Sequence, residues 1–75
     1  MLNQFKLEAY VKDGESMRVE RVLYPDTLEE FYRGYVSLTS EKDENGNKKF
    51  VSTRPYMAIY KEITNPTEFF KMLKA

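Results

Sequence analysis

The sequence predicts an α+β domain in which a small antiparallel sheet carries helices on one of its faces. Two stretches near the N-terminus alternate apolar and polar residues, as half-buried strands do, and a later stretch repeats apolar residues with the helical period. Strands and helices do not alternate regularly along the chain, which favours an antiparallel sheet over a parallel one. The 75 residues suffice for one domain, so we expect a single unit over 1–75 in the order ββαβα.

The first two predicted strands, residues 5–12 and 17–24, form a hairpin around the turn sequence Asp13-Gly14. A strict two-residue turn there mixes the apolar and polar faces. A three-residue loop at 13–15, or a bulge, keeps them apart. The helix-covered side of the hairpin is then expected to hold Phe5, Leu7, Ala9, Val11, Met17, Val19 and Leu23.

A helix is predicted to follow the hairpin. Asp26 or Thr27 can cap its first turn, and Glu29 or Glu30 can complete the reciprocal half of a capping box. Its apolar residues then form one helical stripe, which consists of Leu28, Phe31, Tyr32, Tyr35 and Val36.

Gly34 leaves two alternatives for the length of this helix. The helix can run through the glycine at a cost of about 1 kcal/mol. It can also end there, so that residues 35–40 become a further strand in the order ββαββα. The apolar stripe continues across the glycine, which favours the continuous helix.

The rest of the chain is predicted to hold a polar loop, a strand and a helix. The loop spans 40–49, and the strand spans 50–63. Pro55 must lie at an edge or a bulge of this strand, because it has no N–H to donate. A cap residue followed by proline opens the last helix, 66–74.

The composition excludes several chemistries. The chain has no cysteine and no histidine, which excludes a disulfide framework, a thiolate metal site and histidine-based catalysis. We therefore expect a protein that is not an enzyme and that uses no metal and no cofactor. The 12 basic and 12 acidic residues cancel, which disfavours long nucleic acid as a partner. No apolar run has the length of a membrane span, so we expect a cytoplasmic protein without membrane contact.

Side-chain alternation gathers tyrosine and arginine on the sheet face away from the helices. We expect Val51, Met57, Ile59 and Ile63 of the third strand to face the helices, together with the apolar side of the hairpin. The opposite face then carries the candidate partner-binding residues Tyr10, Arg18, Tyr24, Arg54, Tyr56 and Tyr60. Both residue types are enriched at protein interfaces and their hot spots. A bulge at Pro55 would instead reverse the alternation and bury Tyr56 and Tyr60.

The expected function is that of a small non-enzymatic protein-binding module that docks another protein on this Tyr/Arg-rich face. A viral or mobile-element inhibitor of a host protein fits such a small chain. One alternative is a nucleotide- or single-stranded nucleic-acid-binding protein that stacks bases on the same tyrosines. Another is a self-assembling structural subunit. Its homodimer would form through the sheet edge or through the last helix, where Phe69 and Phe70 are adjacent.

Overall fold

A four-stranded antiparallel sheet and two helices form the fold, as seen in a computed structural model that describes residues 4–58 and 60–74. The elements are β1 Phe5–Asp13, β2 Ser16–Leu23, α1 Leu28–Ser40, β3 Ser52–Met57, β4 Lys61–Glu62 and α2 Pro66–Lys74. Across the sheet the strand order is β2-β1-β3-β4, so the first strand of the chain lies inside the sheet. The predicted α+β class with an antiparallel sheet is confirmed, and the major elements follow the predicted order.

The predicted strand over 50–63 is divided by a tight turn. Ala58 and Tyr60 in this turn have φ angles of 50° and 57°, in the left-handed region that non-glycine residues rarely adopt. The turn folds β4 back against the end of β3. The additional short strand therefore comes from this segment, whereas residues 35–40 are helical.

Helix α1 has a capped first turn and runs through Gly34. The Thr27 side-chain oxygen accepts a hydrogen bond from the backbone nitrogen of Glu30 at 3.1 Å, and the Glu30 carboxylate accepts one from the backbone nitrogen of Asp26 at 3.2 Å. The predicted cap and the continuous helix are both confirmed. A Cβ atom at Gly34 would lie 2.8 Å from Cδ1 of Leu7. The glycine thus lets the helix approach the sheet closely.

The core lies between the sheet and the helices and is rich in aromatic rings. Its buried residues are Phe5, Leu7, Ala9, Phe31, Leu38, Phe50 and Phe70. The Phe31 ring stacks on Phe5 with 4.8 Å between centroids and meets Phe70 edge-on at 5.2 Å. Phe69 contacts the rings of Phe31 and Phe70 at 6.5 and 5.2 Å. Both adjacent phenylalanines of α2 therefore pack against the core.

The β1–β2 hairpin has a different turn from the predicted one. Its loop consists of Gly14 and Glu15, and the φ of 65° at Gly14 has the sign that a type II′ turn requires at its first central position. Further along, Ala9 pairs with Arg21 while Tyr10 pairs with Val19, so Glu20 is an extra residue in β2. The three-residue loop at 13–15 is not observed. A bulge is present, but it does not keep the apolar residues of β2 on one face as predicted.

This bulge divides β2 into two parts that face opposite sides of the sheet. Leu23 lies opposite Leu7 on the helix-covered side, as predicted. Met17 and Val19 precede the bulge and lie opposite polar residues of β1 on the other side. Their predicted place in the core is wrong, because one inserted residue turns every preceding side chain to the opposite face.

Strand β3 keeps its alternation through Pro55. This proline is buried opposite Leu7 on the helix-covered side. The prediction that Val51 faces the core is wrong: Val51 is exposed, and Phe50 is buried instead, because the chain bends at position 51 before β3 begins. The predicted core position of Ile59 lies outside the described residues.

Candidate functional site

Both helices pack on one face of the sheet, and the opposite face is called the outer face below. Strand register and alternation assign these side chains to it: Lys6, Glu8, Tyr10, Lys12, Met17, Val19, Val22, Ser52, Arg54, Tyr56 and Glu62. Tyr24, directly after β2, and Tyr60, in the turn before β4, join the outer face. Their rings contact each other at 6.2 Å, and the Tyr60 ring also contacts Lys6.

Glu8, in the middle of β1, organises the outer face. Its Oε1 accepts hydrogen bonds from the hydroxyls of Tyr10 at 2.7 Å and of Tyr56 at 2.8 Å. Its Oε2 lies 3.1 Å from Nζ of Lys6, and the Glu8 side chain is only 14% exposed. Tyr10 and Lys6 come from the same strand, whereas Tyr56 comes from β3. One carboxylate therefore fixes side chains from two strands.

The ionisation of this cluster follows from its hydrogen bonds. Burial alone would raise the pKa of Glu8, but the hydrogen bonds from Tyr10, Tyr56 and Lys6 outweigh it, so the pKa of Glu8 lies below its usual value. Burial and the bond to Glu8 raise the pKa of Tyr56 well above the ordinary tyrosine value. The same bond, with a smaller effect of burial, raises the pKa of Tyr10. At neutral pH the cluster is therefore a carboxylate held by protonated donors.

Lys6 lies among tyrosine rings on the outer face and contacts two of them. Nζ of Lys6 lies 5.7 Å from the centroid of the Tyr56 ring and 5.4 Å from that of Tyr60. Tyr60 meets Tyr24 in an edge-to-face contact. Exposed cation–π contacts contribute about 0.5–1 kcal/mol each. These contacts position the rings of Tyr24 and Tyr60 and leave both side chains exposed.

Arg54 occupies the outer side of β3 and stacks on Tyr10, with its guanidinium carbon 4.4 Å from the ring centroid. It lies opposite Glu8 in the strand register. The Glu8 oxygens are nevertheless occupied by the two tyrosines and Lys6, and within 4–58 and 60–74 no carboxylate forms an ion pair with Arg54. A guanidinium stacked on a ring keeps its N–H groups directed outward, where they can donate to an external acceptor.

Five of the six candidates predicted from the sequence are brought together on the outer face: Tyr10, Tyr24, Arg54, Tyr56 and Tyr60. Alternation continues through Pro55, so Tyr56 and Tyr60 are not turned into the core. Arg18 lies elsewhere. It is opposite Val11 on the helix-covered side, where it forms ion pairs with Glu20 at 2.6 Å and Asp13 at 3.9 Å. Its predicted placement is wrong because the bulge at Glu20 shifts the register.

The same bulge brings Met17 and Val19, which the sequence assigned to the core, onto the outer face in one row with Val22, whose outward position the alternation predicts. Met17, Val19 and Val22 all face outward along β2, and they are 45%, 39% and 37% exposed. They lie directly beside Lys12, Tyr10 and Glu8 of β1, respectively. The row is therefore continuous with the tyrosine cluster, which consists of Tyr10, Tyr24, Tyr56 and Tyr60.

Glu8 is a further residue of the site that the sequence did not single out. Alternation in β1 assigns it to the outer face, but its importance depends on Tyr56, which is 48 residues away in the chain. The signal that could have found it is an acidic residue flanked at two-residue spacing by Lys6 and Tyr10, since such residues are neighbours on one face of a strand.

A second exposed apolar surface lies between the two helices. It consists of adjoining clefts of about 230 and 280 Å³. Their apolar lining is Leu28, Tyr32, Tyr35, Val36, Phe70 and Leu73. Met72, on the same helix as Phe70 and Leu73, is 74% exposed. The predicted self-association through the last helix would use this surface.

The described part of the chain has neither a carboxylate metal site nor a membrane-spanning helix. It contains no group of three or more acidic side chains arranged to hold a metal ion. Within the same ranges, neither helix has the length and apolar composition needed to cross a membrane.

Comparison with known proteins gives no relative: no family model matches the chain, and neither a curated protein nor a solved structure matches it.

Proposed function

We propose that the chain is a small non-enzymatic protein-binding module that docks another protein on its outer face. The observation that carries this proposal is the Glu8 cluster, in which one carboxylate fixes Tyr10 and Tyr56 before any partner arrives. Tyr24, Tyr60 and Arg54 extend the same surface and remain accessible or half-accessible.

Fixed aromatic side chains favour tight association. Ordering a flexible side chain at an interface costs about 0.5–1.5 kcal/mol, and a side chain that is already ordered avoids part of that cost. Tyrosine and arginine also dominate the few residues that carry most of the binding energy in interfaces. The outer face therefore combines the residue types and the rigidity that a protein-binding surface needs.

Nucleotide or single-stranded nucleic acid is the weaker alternative for the same surface. The stacked Arg54 could meet a phosphate and the tyrosines could meet bases. However, the Glu8 carboxylate lies between the tyrosines and Glu62 lies next to Tyr56, so both would repel phosphate. The net charge of the chain is also zero, so it lacks the excess of basic residues that binding of long nucleic acid requires.

The narrower version of the proposal is an inhibitor of a host protein, encoded by a virus or mobile element. It is supported by the small size of the chain and by a surface suited to a single partner. Self-assembly through the helices remains a separate proposal, because it uses the clefts beside α2 rather than the outer face.

Site-specific photo-crosslinking tests the proposed face. A photoreactive amino acid replaces Tyr24 on the outer face or Met72 on α2, both exposed positions, and the protein is expressed in its native cells. We expect a covalent protein adduct from position 24 and none from position 72. An adduct from position 72 alone would place the interface on the helices and overturn the proposal.

A matched pair of arginine variants then measures the contribution of the face to binding of the crosslinked partner. Arg54→Ala removes the stacked arginine, whereas Arg18→Ala removes an arginine on the other side of the sheet. Hot-spot truncations cost about 2 kcal/mol, so we expect Arg54→Ala to weaken binding about 30-fold. Arg18→Ala should leave affinity within about 3-fold, and equal losses from both would contradict the assignment.

A further inference from the structure

The part of the outer face nearest the β1–β2 turn differs from the tyrosine cluster, because it combines cations with apolar side chains. In this region Lys12 lies beside Met17, and Tyr10, with Arg54 stacked on it, lies beside Val19. The three apolar residues of β2 form one edge of the region. Lys12 lies next to this edge on β1, and Arg54 lies one strand further away on β3. It is called the cationic–apolar region below and consists of Lys12, Met17, Val19, Val22 and Arg54.

The cations of this region have no acidic counterpart. Across 4–58 and 60–74, neither Lys12 nor Arg54 forms an ion pair with a carboxylate. Three acidic side chains of β1 and β2 are otherwise engaged. Glu8 binds the tyrosines and Lys6 on the outer face, while Asp13 and Glu20 pair with Arg18 on the opposite side of the sheet. Neither cation of the region is thus neutralised by a direct ion pair.

We infer that the partner of the outer face presents an acidic protein segment, with carboxylates at Arg54 and Lys12 and an apolar side chain on the row Met17, Val19 and Val22. The inference rests on the proposed function and specifies the chemistry of its partner. Charge complementarity supports the carboxylate, since an arginine fork donates two parallel hydrogen bonds to such a group. The apolar row supports the neighbouring apolar side chain, because its burial removes that surface from water.

A protein segment fits this region better than a nucleic acid. A phosphate backbone would bring charge against Met17, Val19 and Val22 and would approach the carboxylates of Glu8 and Glu62. An acidic segment needs only one or two carboxylates at Arg54 and Lys12, and its apolar side chains cover the row. Binding of a continuous phosphate chain depends on many basic residues. Two cations are enough for one or two carboxylates but not for such a chain.

Defined probes test this inference without knowledge of the natural partner. An array of immobilised eight-residue peptides combines leucine with glutamate, glutamine, lysine or phosphoserine at matched positions, and an oligothymidylate serves as a nucleic-acid probe. We expect the leucine–glutamate peptides to bind, and replacement of glutamate by glutamine to weaken binding about 10-fold or more, as for loss of a charge-assisted hydrogen bond. Preferred binding of lysine peptides or of oligothymidylate would overturn the inference.

A charge-reversed variant sharpens the test. Arg54→Glu should no longer bind the leucine–glutamate peptides and should bind the leucine–lysine peptides instead. Arg18→Glu should bind the peptides as the unchanged protein does. Val19→Ser should weaken all leucine peptides alike. Circular dichroism and urea unfolding establish that each variant is folded. If Arg54→Glu retains the glutamate preference, the inference fails.

Failure of this inference can be distinguished from failure of the proposed function. A crosslinked partner at position 24 together with no charge preference would refute only the acidic segment. A crosslinked partner at position 72 alone would refute the outer face as the docking surface. The two experiments use different readouts, so each outcome is assigned to one proposal.

Discussion

The two sides of strand β1 show two different ways of holding side chains in place. Its odd-numbered residues Phe5, Leu7 and Ala9 are buried under the helices, where the Phe5 ring stacks on Phe31. Its even-numbered residues Lys6, Glu8 and Tyr10 face outward and are joined by hydrogen bonds and ion pairs. The covered side is apolar, and the outer side is a polar network with aromatic rings.

This difference indicates a division of roles within one strand. Packing on the covered side depends on volume and excludes water, so it supplies stability. Hydrogen bonds on the outer side depend on direction and on the charge of Glu8, so they supply a fixed surface more than stability. The two sides should therefore respond differently to substitution and to pH.

The largest expected effect comes from the covered side. Phe31→Ala removes the ring that joins Phe5, Phe69 and Phe70, and buried Phe→Ala changes cost about 3–5 kcal/mol. Per-residue scaling gives a domain of this size about 4–11 kcal/mol in total. Urea unfolding should therefore show a protein that has lost about 3–5 kcal/mol of this total. Tyr24→Ala on the outer face is the control and should cost under about 1 kcal/mol, because that ring is exposed. Similar losses in the free energy of unfolding from both variants would contradict the proposed difference between the covered side and the outer side of β1.

A smaller effect is expected where α1 approaches the sheet. Gly34→Val places a side chain against Cδ1 of Leu7, which is buried, and the overpacking should lower the free energy of unfolding by about 2 kcal/mol. Ser37→Val introduces the same residue at an exposed position of α1 and should change stability by less than about 0.5 kcal/mol. Thermal or urea unfolding of both variants checks the difference. A Gly34→Val protein as stable as the unchanged one would show that the close approach is not required.

The smallest effect concerns the outer side and depends on pH. Glu8 has a lower pKa in the folded than in the unfolded protein, so its contribution is complete above the unfolded value and is lost as pH falls through the folded value. Glu8→Gln should therefore cost about 1–2 kcal/mol at pH 7, and the difference from the unchanged protein should shrink from about pH 4.5 downward. Urea unfolding at several pH values measures this difference.

The exposed residue Glu44 provides the matched control for this experiment. Glu44→Gln makes the same chemical change in the polar loop between α1 and β3, where the carboxylate forms no ion pair in the described parts of the chain. It should leave stability nearly unchanged at every pH. A constant difference for Glu8→Gln between pH 7 and pH 3 would show that the charge of Glu8 does not stabilise the folded state.

Local signals in the sequence predicted much of the fold. The cap at Thr27 and the proline that opens α2 mark their helices, and the apolar stripe across Gly34 correctly indicated one continuous helix. Alternation in β1 was also sufficient to assign its two faces. These features depend on residues close together in the chain, so a single sequence contains them.

The errors arose where the backbone departs from regular geometry without a local signal. Nothing in the residues around Glu20 marks a bulge. This bulge, together with the two-residue loop at 14–15, places Arg18 away from the outer face and Met17 and Val19 on it. The turn at Ala58 and Tyr60 contains no glycine, asparagine or proline, although both residues have positive φ. The candidate site was therefore predicted in its β1 and β3 parts and mispredicted in β2.

The position of β1 inside the sheet has a consequence for the order of events in folding. Its hairpin with β2 closes over a two-residue loop and is a local event, whereas its pairing with β3 joins residues such as Glu8 and Tyr56, which are 48 positions apart. Closing a long loop costs more chain entropy and is slower than forming a hairpin. During synthesis, β1 is also made before β3. The tyrosine cluster is thus completed only after β3 has been made, so a chain that lacks β3 cannot present this surface.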